Sequence, residues 1–281
     1  MKDKFRLLRR QVIYDLKNGI LLQYKKIITF LLLIIILFLF FNNKVYSYKE
    51  ISHNSVIGFW DYLIYIFRGK EVIRGLSQLD MFDIPVEWIL IHGYLLLVIA
   101  TYPKNDYIER GYQFLIRVGS KWQWWLSKGI YILVSACVYH LCILIVAVAF
   151  TAVQGGSFYQ ANYEIAYHVA RLDLTNFIKS KMVVGTLIMP VIIFTTLCFM
   201  GMLISFLFNN LIAVIAMIAY LSRSAYWCNK WLLGNYSMLL RADKLSYIEG
   251  IGISCASIIL SFILGYFYFK RQDIIGKKGD L

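Results

Sequence analysis

The sequence predicts an all-α integral membrane protein with six transmembrane helices and little soluble mass. Three observations predict it. Of 281 residues, 60% are apolar and only 16% are charged, where soluble domains carry about a quarter charged residues. The mean hydropathy is +0.63, and the apolar residues come in long blocks along the whole chain. Lys and Arg concentrate in alternate connections between those blocks. This composition excludes an ordinary soluble enzyme, a disordered chain and a secreted disulfide scaffold. A single transmembrane domain over 1–281 is the expectation.

Crossing the hydrocarbon core takes about 20 helical residues, in a range of about 17–25. Six segments qualify: 27–46, 86–102, 129–153, 182–208, 211–227 and 250–269. The first has a short strongly apolar part, Ile27–Phe41, with Lys25 and Lys26 placed to snorkel at its end. The fifth is the weakest, since its apolar run stops at Leu221 and Arg223 follows.

The segments 1–26, 102–128 and 270–281 hold 17 Lys and Arg in 65 positions, against 12 in 102 positions for 43–85, 151–181 and 222–249. The denser set is expected to face the cytoplasm, which puts both termini inside. The Asn209-Asn210 turn is then the third cytoplasmic connection. The same topology accounts for the net charge of +13 without nucleic acid as a partner. Trp122, Trp124 and Trp125 are expected at the inner interface, and Trp88 and Trp227 at the outer one. The basic N-terminus lacks the cleavage signal of a secretory leader. The five cysteines contain no CxxC, so they read as small buried hydrophobes, and no metal site is expected.

The connections are patterned. Residues 1–24 read as an amphipathic helix with Phe5, Leu8, Val12, Leu16 and Ile20 on one face. Asp3, Arg6, Arg10 and Lys17 share another, which suits a helix lying on anionic lipid. A second amphipathic helix is expected over 105–118, with Ile108, Tyr112, Leu115 and Ile116 opposite Asp106, Glu109, Arg110, Gln113 and Arg117. Asp106 and Arg110 form an i,i+4 pair, Gly119 can end the helix, and Ser120 to Gln123 fit a capping box for the next one. On the other side, Val56, Phe59, Trp60, Leu63 and Phe67 make an apolar stripe expected on the outer leaflet. The stretch 226–248 reads as a re-entrant or interfacial hairpin with Trp231, Leu232, Leu233, Met238 and Leu239.

The chain carries no G-x-x-x-x-G-K-[ST] loop, no H-E-x-x-H and no G-x-S-x-G, so it is not expected to be an enzyme or to hydrolyse ATP itself. His53, His92, His140 and His168 fall in different elements. Few ionisable groups lie within the spans, and no charged relay is evident. Pro190 in the fourth span frees a carbonyl, which Thr186, Thr195, Thr196 or Ser205 can repair, or these hydroxyls can bond across helices.

The pattern resembles an ABC-2 type permease, the membrane subunit of an ATP-binding cassette exporter. The topology carries the resemblance, together with Arg117-Val-Gly-Ser-Lys-Trp-Gln-Trp-Trp-Leu-Ser-Lys128 at the start of the third span and Phe269-Lys-Arg-Gln-Asp-Ile-Ile275 at the end. It implies that residues 1–22 are an elbow helix, with Phe5, Arg6, Arg9 and Arg10 at its surface. It implies that 107–117 are a coupling helix, with Tyr107, Ile108, Arg110, Tyr112, Phe114 and Arg117 meeting a partner ATPase. It implies two copies of a separate P-loop ATPase that hold ATP and Mg, a second permease copy (identical or related), and an exit gate over 226–248. This chain binds no cofactor under that reading.

The apolar, aromatic bundle suits an amphiphilic cargo such as a hydrophobic peptide or bacteriocin, passing His140, Thr195, Thr196 and Ser205. His140 reads first as a buried neutral histidine bonded to a neighbouring helix, ahead of a transport role. The Ile, Lys and Tyr usage suits a low-GC bacterium and its cytoplasmic membrane. Two other classes stay open: an ion-coupled secondary transporter, and a membrane scaffold or sensor without transport.

Overall fold

The computed structural model describes residues 2–48, 56–72, 84–111, 120–175 and 178–271, apart from the side chains of residues 2–4 and 110. Among these residues every regular element is helical. α1 is Lys2–Leu16, followed by a π-turn at Lys17–Leu21, and α2 is Tyr24–Ser47. α3 is Phe59–Phe67, α4 is Val86–Leu95, and α5 is Tyr102–Asp106. α6 is Lys121–Gln154, α7 is Tyr163–His168, α8 is Lys179–Val183, and α9 is Met189–Leu207. α10 is Asn210–Tyr226 and α11 is Tyr247–Arg271.

Five helical stretches are long and apolar enough to cross a membrane: Tyr24–Ser47, Val86–Glu109, Lys121–Gln154, Lys179–Leu207 and Tyr247–Arg271. Their outward faces are apolar, as lipid contact requires: Leu32, Ile36, Leu39 and Phe40 on α2, and Ile259, Leu260, Ile263 and Leu264 on α11 are exposed. The expected fifth span is α10, which has 17 residues and is roughly 25 Å long, shorter than the other five.

Two spans are interrupted in the same way. The π-turn Leu96–Ala100 precedes Pro103, and the π-turn Val184–Ile188 precedes Pro190. Proline has no N–H, and its ring crowds the carbonyl four residues back. In both spans that carbonyl, on Ile99 or Thr186, lies in the wider turn. The hydroxyls of Thr186 and Thr196 each donate to the carbonyl four residues earlier, on Met182 and Ile192.

α9 is the central helix, packed on α11, α10, α6 and the π-turn after α4. Small residues let aromatic rings fill the contacts. Gly265 on α11 faces the Trp125 ring, and Gly129 on α6 faces Phe262 and Phe199. Trp124 and Trp125 are fully buried against Phe206 and Phe269, and the Trp125 indole donates to the Phe262 carbonyl at 3.0 Å. Of the three rings in this cluster, only Trp122 is exposed. Trp88 is likewise buried, with its indole on Ser237 at 3.1 Å.

α3 departs furthest from expectation. It does not lie on a surface. Every side chain from Asp61 to Phe67 is buried, because α3 inserts between α2, α4, α6 and α7. Tyr62 donates to Asn42 on α2 at 2.8 Å, and Phe67 lies 5.9 Å from the His140 ring. The Gly58 N–H and the Asn162 N–H both donate to the Asp61 carboxylate, at 2.8 and 2.9 Å. The apolar stripe is one side of a helix that is buried all round from Asp61 to Phe67.

Residues 228–246 fold into two 3₁₀ turns, Leu233–Ser237 and Leu239–Arg241, with Leu233, Met238 and Leu239 buried and Trp231 exposed. They close around Arg241, which is 0% exposed. Its guanidinium donates to the carbonyls of Lys70 and Ala225 at 2.9 and 2.6 Å, and also meets the Ser224 carbonyl and the Asn235 side chain. Ser224 and Ala225 belong to the last turn of α10, whose carbonyls lack helical partners and attract a cation. Burial lowers the Arg241 pKa to about 10, so it stays charged at neutral pH.

Candidate functional site

The opposite end of the bundle holds a buried ion cluster that ties three segments together. Lys128, eight residues into the amphipathic start of α6, points its ammonium at Asp15 of α1 and Asp106 of α5, at 2.6 and 2.5 Å. The Lys128 and Asp15 side chains are 0% exposed and that of Asp106 is 5% exposed. The Ser127 hydroxyl donates to the second Asp15 oxygen at 2.5 Å, and the Gln11 amide to the same carboxylate at 3.3 Å. Tyr14 and Tyr102 hydroxyls approach Asp106 and Asp15 at 3.5 Å. The ammonium lies 4.8 Å from the ring centres of both Tyr102 and Trp124, close enough for cation–π attraction. Burial raises the Asp15 pKa, opposed by the Lys128 charge and the Lys128 and Ser127 hydrogen bonds.

The cluster explains how α1 sits. Its buried positions are Gln11 and Asp15, continued in the π-turn by Gly19 and Ile20, while the rest of the apolar stripe is only partly buried or exposed. Phe5 is 71% exposed, and Leu8, Val12 and Leu16 are only half-buried. A carboxylate with a lysine waiting for it in an apolar wall decides which face goes in. Gly19 then packs directly on the Tyr131 ring, where a Cβ has no room. Arg6, Arg9 and Arg10 are exposed.

The segment expected as a separate helix over 105–118 is in its described part the end of a span. α5 and the π-turn Tyr107–Gly111 continue directly from α4. Asp106 pairs with Lys128, and the side chain of Arg110, its expected i,i+4 partner, lies outside the described residues. Tyr107 packs among Trp124, Phe206 and Phe269, while Ile108 is 50% exposed. Arg110 lies on the π-turn. Tyr112, Phe114 and Arg117 lie outside the described residues. Ser120 caps α6 by accepting from the Gln123 N–H at 3.4 Å, as its spacing predicts. Asn209 caps α10 through the Ile212 N–H at 2.7 Å. The same end is closed by Lys104, whose ammonium donates to the Ser205 and Phe208 carbonyls, at 2.6 and 2.8 Å.

A cavity of about 280 Å³ opens beside the cluster, between Asn18, Gln23 and Lys26 on one side and Asn105, Asp106 and Glu109 on the other. The expected pathway residues do not line it. His140 is buried beside Phe67 and Phe194, and among the described residues neither ring nitrogen has a hydrogen-bond partner. The interhelical bond expected of a buried histidine is therefore absent at His140. It is made instead by His92, between the Trp88 carbonyl at 2.7 Å and the Ser237 hydroxyl at 3.3 Å. Thr195 is buried with no partner for its hydroxyl among the described residues, while Thr196 and Ser205 bond back to their own helix.

Sequence reading missed the cluster because each member has a plausible local role. Lys128 counts as a flanking cation, Asp106 has Arg110 four residues on, and Asp15 sits in a basic helix. The usable signal was Gln11 and Asp15, four apart on a face otherwise expected to be solvated, opposite a Lys followed by continuous apolar sequence. No protein-family model, curated protein or solved structure matches this chain.

Proposed function

We propose that this chain is the membrane-spanning permease subunit of an ATP-driven transporter of the ABC-2 type, pairing with a second permease copy and two separate ATPase subunits that bind ATP and Mg. Its place is a bacterial cytoplasmic membrane, with the Lys128 end and both termini on the cytoplasmic side and α10 as a sixth span. The cargo is a hydrophobic or amphiphilic molecule such as a peptide, moved outward. The observation that carries this reading is the Lys128 cluster. One ammonium holds the N-terminal helix, the end of the second long helix and the start of the third. A push on the segment after Asp106 therefore moves three elements as a unit, which is what an externally powered permease needs. Tyr107, Ile108, Arg110, Tyr112, Phe114 and Arg117 are proposed to receive that push.

The test is purification of the tagged chain from its host in mild detergent, with mass identification of stoichiometric partners. A P-loop ATPase is expected, and its association is lost when Ile116→Asp and Arg117→Glu are combined. A folded chain that brings down no ATPase overturns the proposal.

One observation favours a second reading. A proton-coupled carrier needs a buried acidic relay, and the Asp15–Lys128–Asp106 cluster supplies buried carboxylates that the sequence did not reveal. Transport abolished by a protonophore but indifferent to ATP depletion would select it.

A further inference from the structure

At the end of the bundle opposite the Lys128 cluster, apolar and aromatic side chains stand exposed on a connection and not on a span. Val153, near the end of α6, is 87% exposed, and Tyr159 in the connection that follows is 90% exposed. Phe158 beside it, and Tyr163 and Tyr167 on α7, are exposed as well. The two α7 rings stack at 5.9 Å. No Asp, Glu, Lys or Arg occurs from 129 to 163. Contiguous apolar exposure of this kind marks a membrane or partner surface. The lipid-facing wall of α6 runs straight into it, since Ile145, Val148 and Val153 are exposed along that helix.

Backbone groups lose water when a segment enters a bilayer, so they need partners within the protein. This connection supplies them. The Gly156 N–H donates to the Thr151 carbonyl at 3.0 Å. The Ser157 hydroxyl accepts from the Tyr159 and Gln160 N–H groups, at 3.2 and 3.3 Å. The Ser157 carbonyl accepts from the Phe59 N–H at 3.0 Å, and the Phe158 carbonyl from the Trp60 indole at 3.1 Å. Asn162 gives its N–H to Asp61, and its side-chain oxygen accepts from the Glu164 N–H. Gly156 lies against the Ile57 carbonyl, where a Cβ has no room. The connection is thus pinned by its backbone to the buried α3 while its rings stay exposed. Depth agrees with an interfacial place. A hydrocarbon core about 30 Å thick takes about 20 residues at 1.5 Å each. Counted from Gly129, the first residue past the buried Lys128, that core ends near Ala149. The polar layer adds about 5–7 Å on each side, which brings α6 to Val153.

We propose that residues 153–167 form an interfacial anchor, with Val153, Phe158, Tyr159, Tyr163 and Tyr167 seated in the carbonyl and headgroup layer of the bilayer. Aromatic rings with a polar tip favour that layer, and a tyrosine offers it both an apolar body and a hydroxyl. The partner is lipid, recognised by apolar burial and not by charge. No Lys or Arg lies between 129 and 170, so the seating does not depend on anionic headgroups. The apolar stripe of α3 suggested this role from sequence, and the next connection takes it because α3 is itself buried. The inference needs only that the long helices cross a membrane, with no ATPase and no cargo.

The experiment places single nitroxide labels on the full chain in phosphatidylcholine vesicles. Cys137, Cys228 and Cys255 are replaced by Ala, and the buried Cys142 and Cys198 are kept. Labels go on Tyr159→Cys and Tyr163→Cys. Ile145→Cys, exposed on α6, marks acyl depth, and Asp173→Cys, exposed on the same connection, marks water. Depth is read from collisions with oxygen against collisions with a water-soluble nickel chelate. Both tyrosine sites are expected within about 5–10 Å of the headgroup–acyl boundary, between the two markers. Adding phosphatidylglycerol is expected to leave that depth unchanged. Nickel accessibility equal to that at Asp173→Cys overturns the proposal. A site shielded from both probes also overturns it, and assigns the patch to a second copy or another protein. A depth reached only with phosphatidylglycerol overturns it too, since charge would then be the recognition. Val153→Cys gives the same reading should either tyrosine variant fail to fold.

Discussion

Lys128 and Asp15 lie 113 positions apart in sequence, yet the ammonium and carboxylate meet at 2.6 Å with both side chains out of contact with solvent. Breaking a buried pair by removing one member costs about 3–5 kcal/mol, because the remaining charge is stranded. Lys128→Met strands two carboxylates, so a large fall in the thermal midpoint of the detergent-solubilised chain is expected. Adding Asp15→Asn and Asp106→Asn removes the stranded charges and should recover most of that loss. A Lys128→Met chain as stable as the wild type would mean that the cluster is solvated.

Asp61 gives a pH dependence with a definite sign. Burial raises its pKa from 3.8 to about 7, against the two backbone N–H groups that favour its ionised form. Below about pH 4 the carboxyl is protonated whether the chain is folded or not. Between about pH 4 and pH 7 only the folded state keeps the proton, so stability falls as pH rises, by about 4 kcal/mol over the window. Above pH 7 this contribution is gone. The thermal midpoint is therefore expected to drop from pH 5 to pH 7, and Asp61→Asn to flatten that slope. An unchanged slope in the variant assigns the pH dependence to another group.

Cys228 reports orientation. It is partly exposed in the connection at the Arg241 end, whereas Cys137 and Cys255 are exposed only on the sides of long apolar helices. Maleimides need a thiolate in water. In intact cells a membrane-impermeant maleimide is expected to label Cys228 and to spare Cys137 and Cys255. Labelling of Cys228 only after lysis reverses the proposed topology.

Much of the architecture was legible because it follows from solvent transfer. Long apolar runs bounded by basic residues locate five helical stretches, three of them to within a few residues, while Val86–Glu109 runs on past the expected 102 and Lys121–Gln154 starts well before the expected 129. Ser120 and Asn209 locate helix starts, since a cap is a local hydrogen bond. Pro190 marks one backbone fault. The candidate site was much less legible. The positive-residue count treated Lys128 and Arg241 as solvated loop charges, and both are fully buried with partners that no local window contains.

By itself, the sequence determined the helical class and six apolar helical segments, of which five are long enough to cross a membrane and the sixth, α10, is shorter. Those are sums over local residues: transfer free energy, capping and proline sterics. Only the tertiary structure decided that α3 is buried all round, that α1 turns its Gln11–Asp15 face inward, and that Arg241 collects the last carbonyls of α10. Each of these depends on whether a buried charge or ring finds its complement across the fold. That is a property of pairs far apart in the chain, and composition and periodicity carry no record of it.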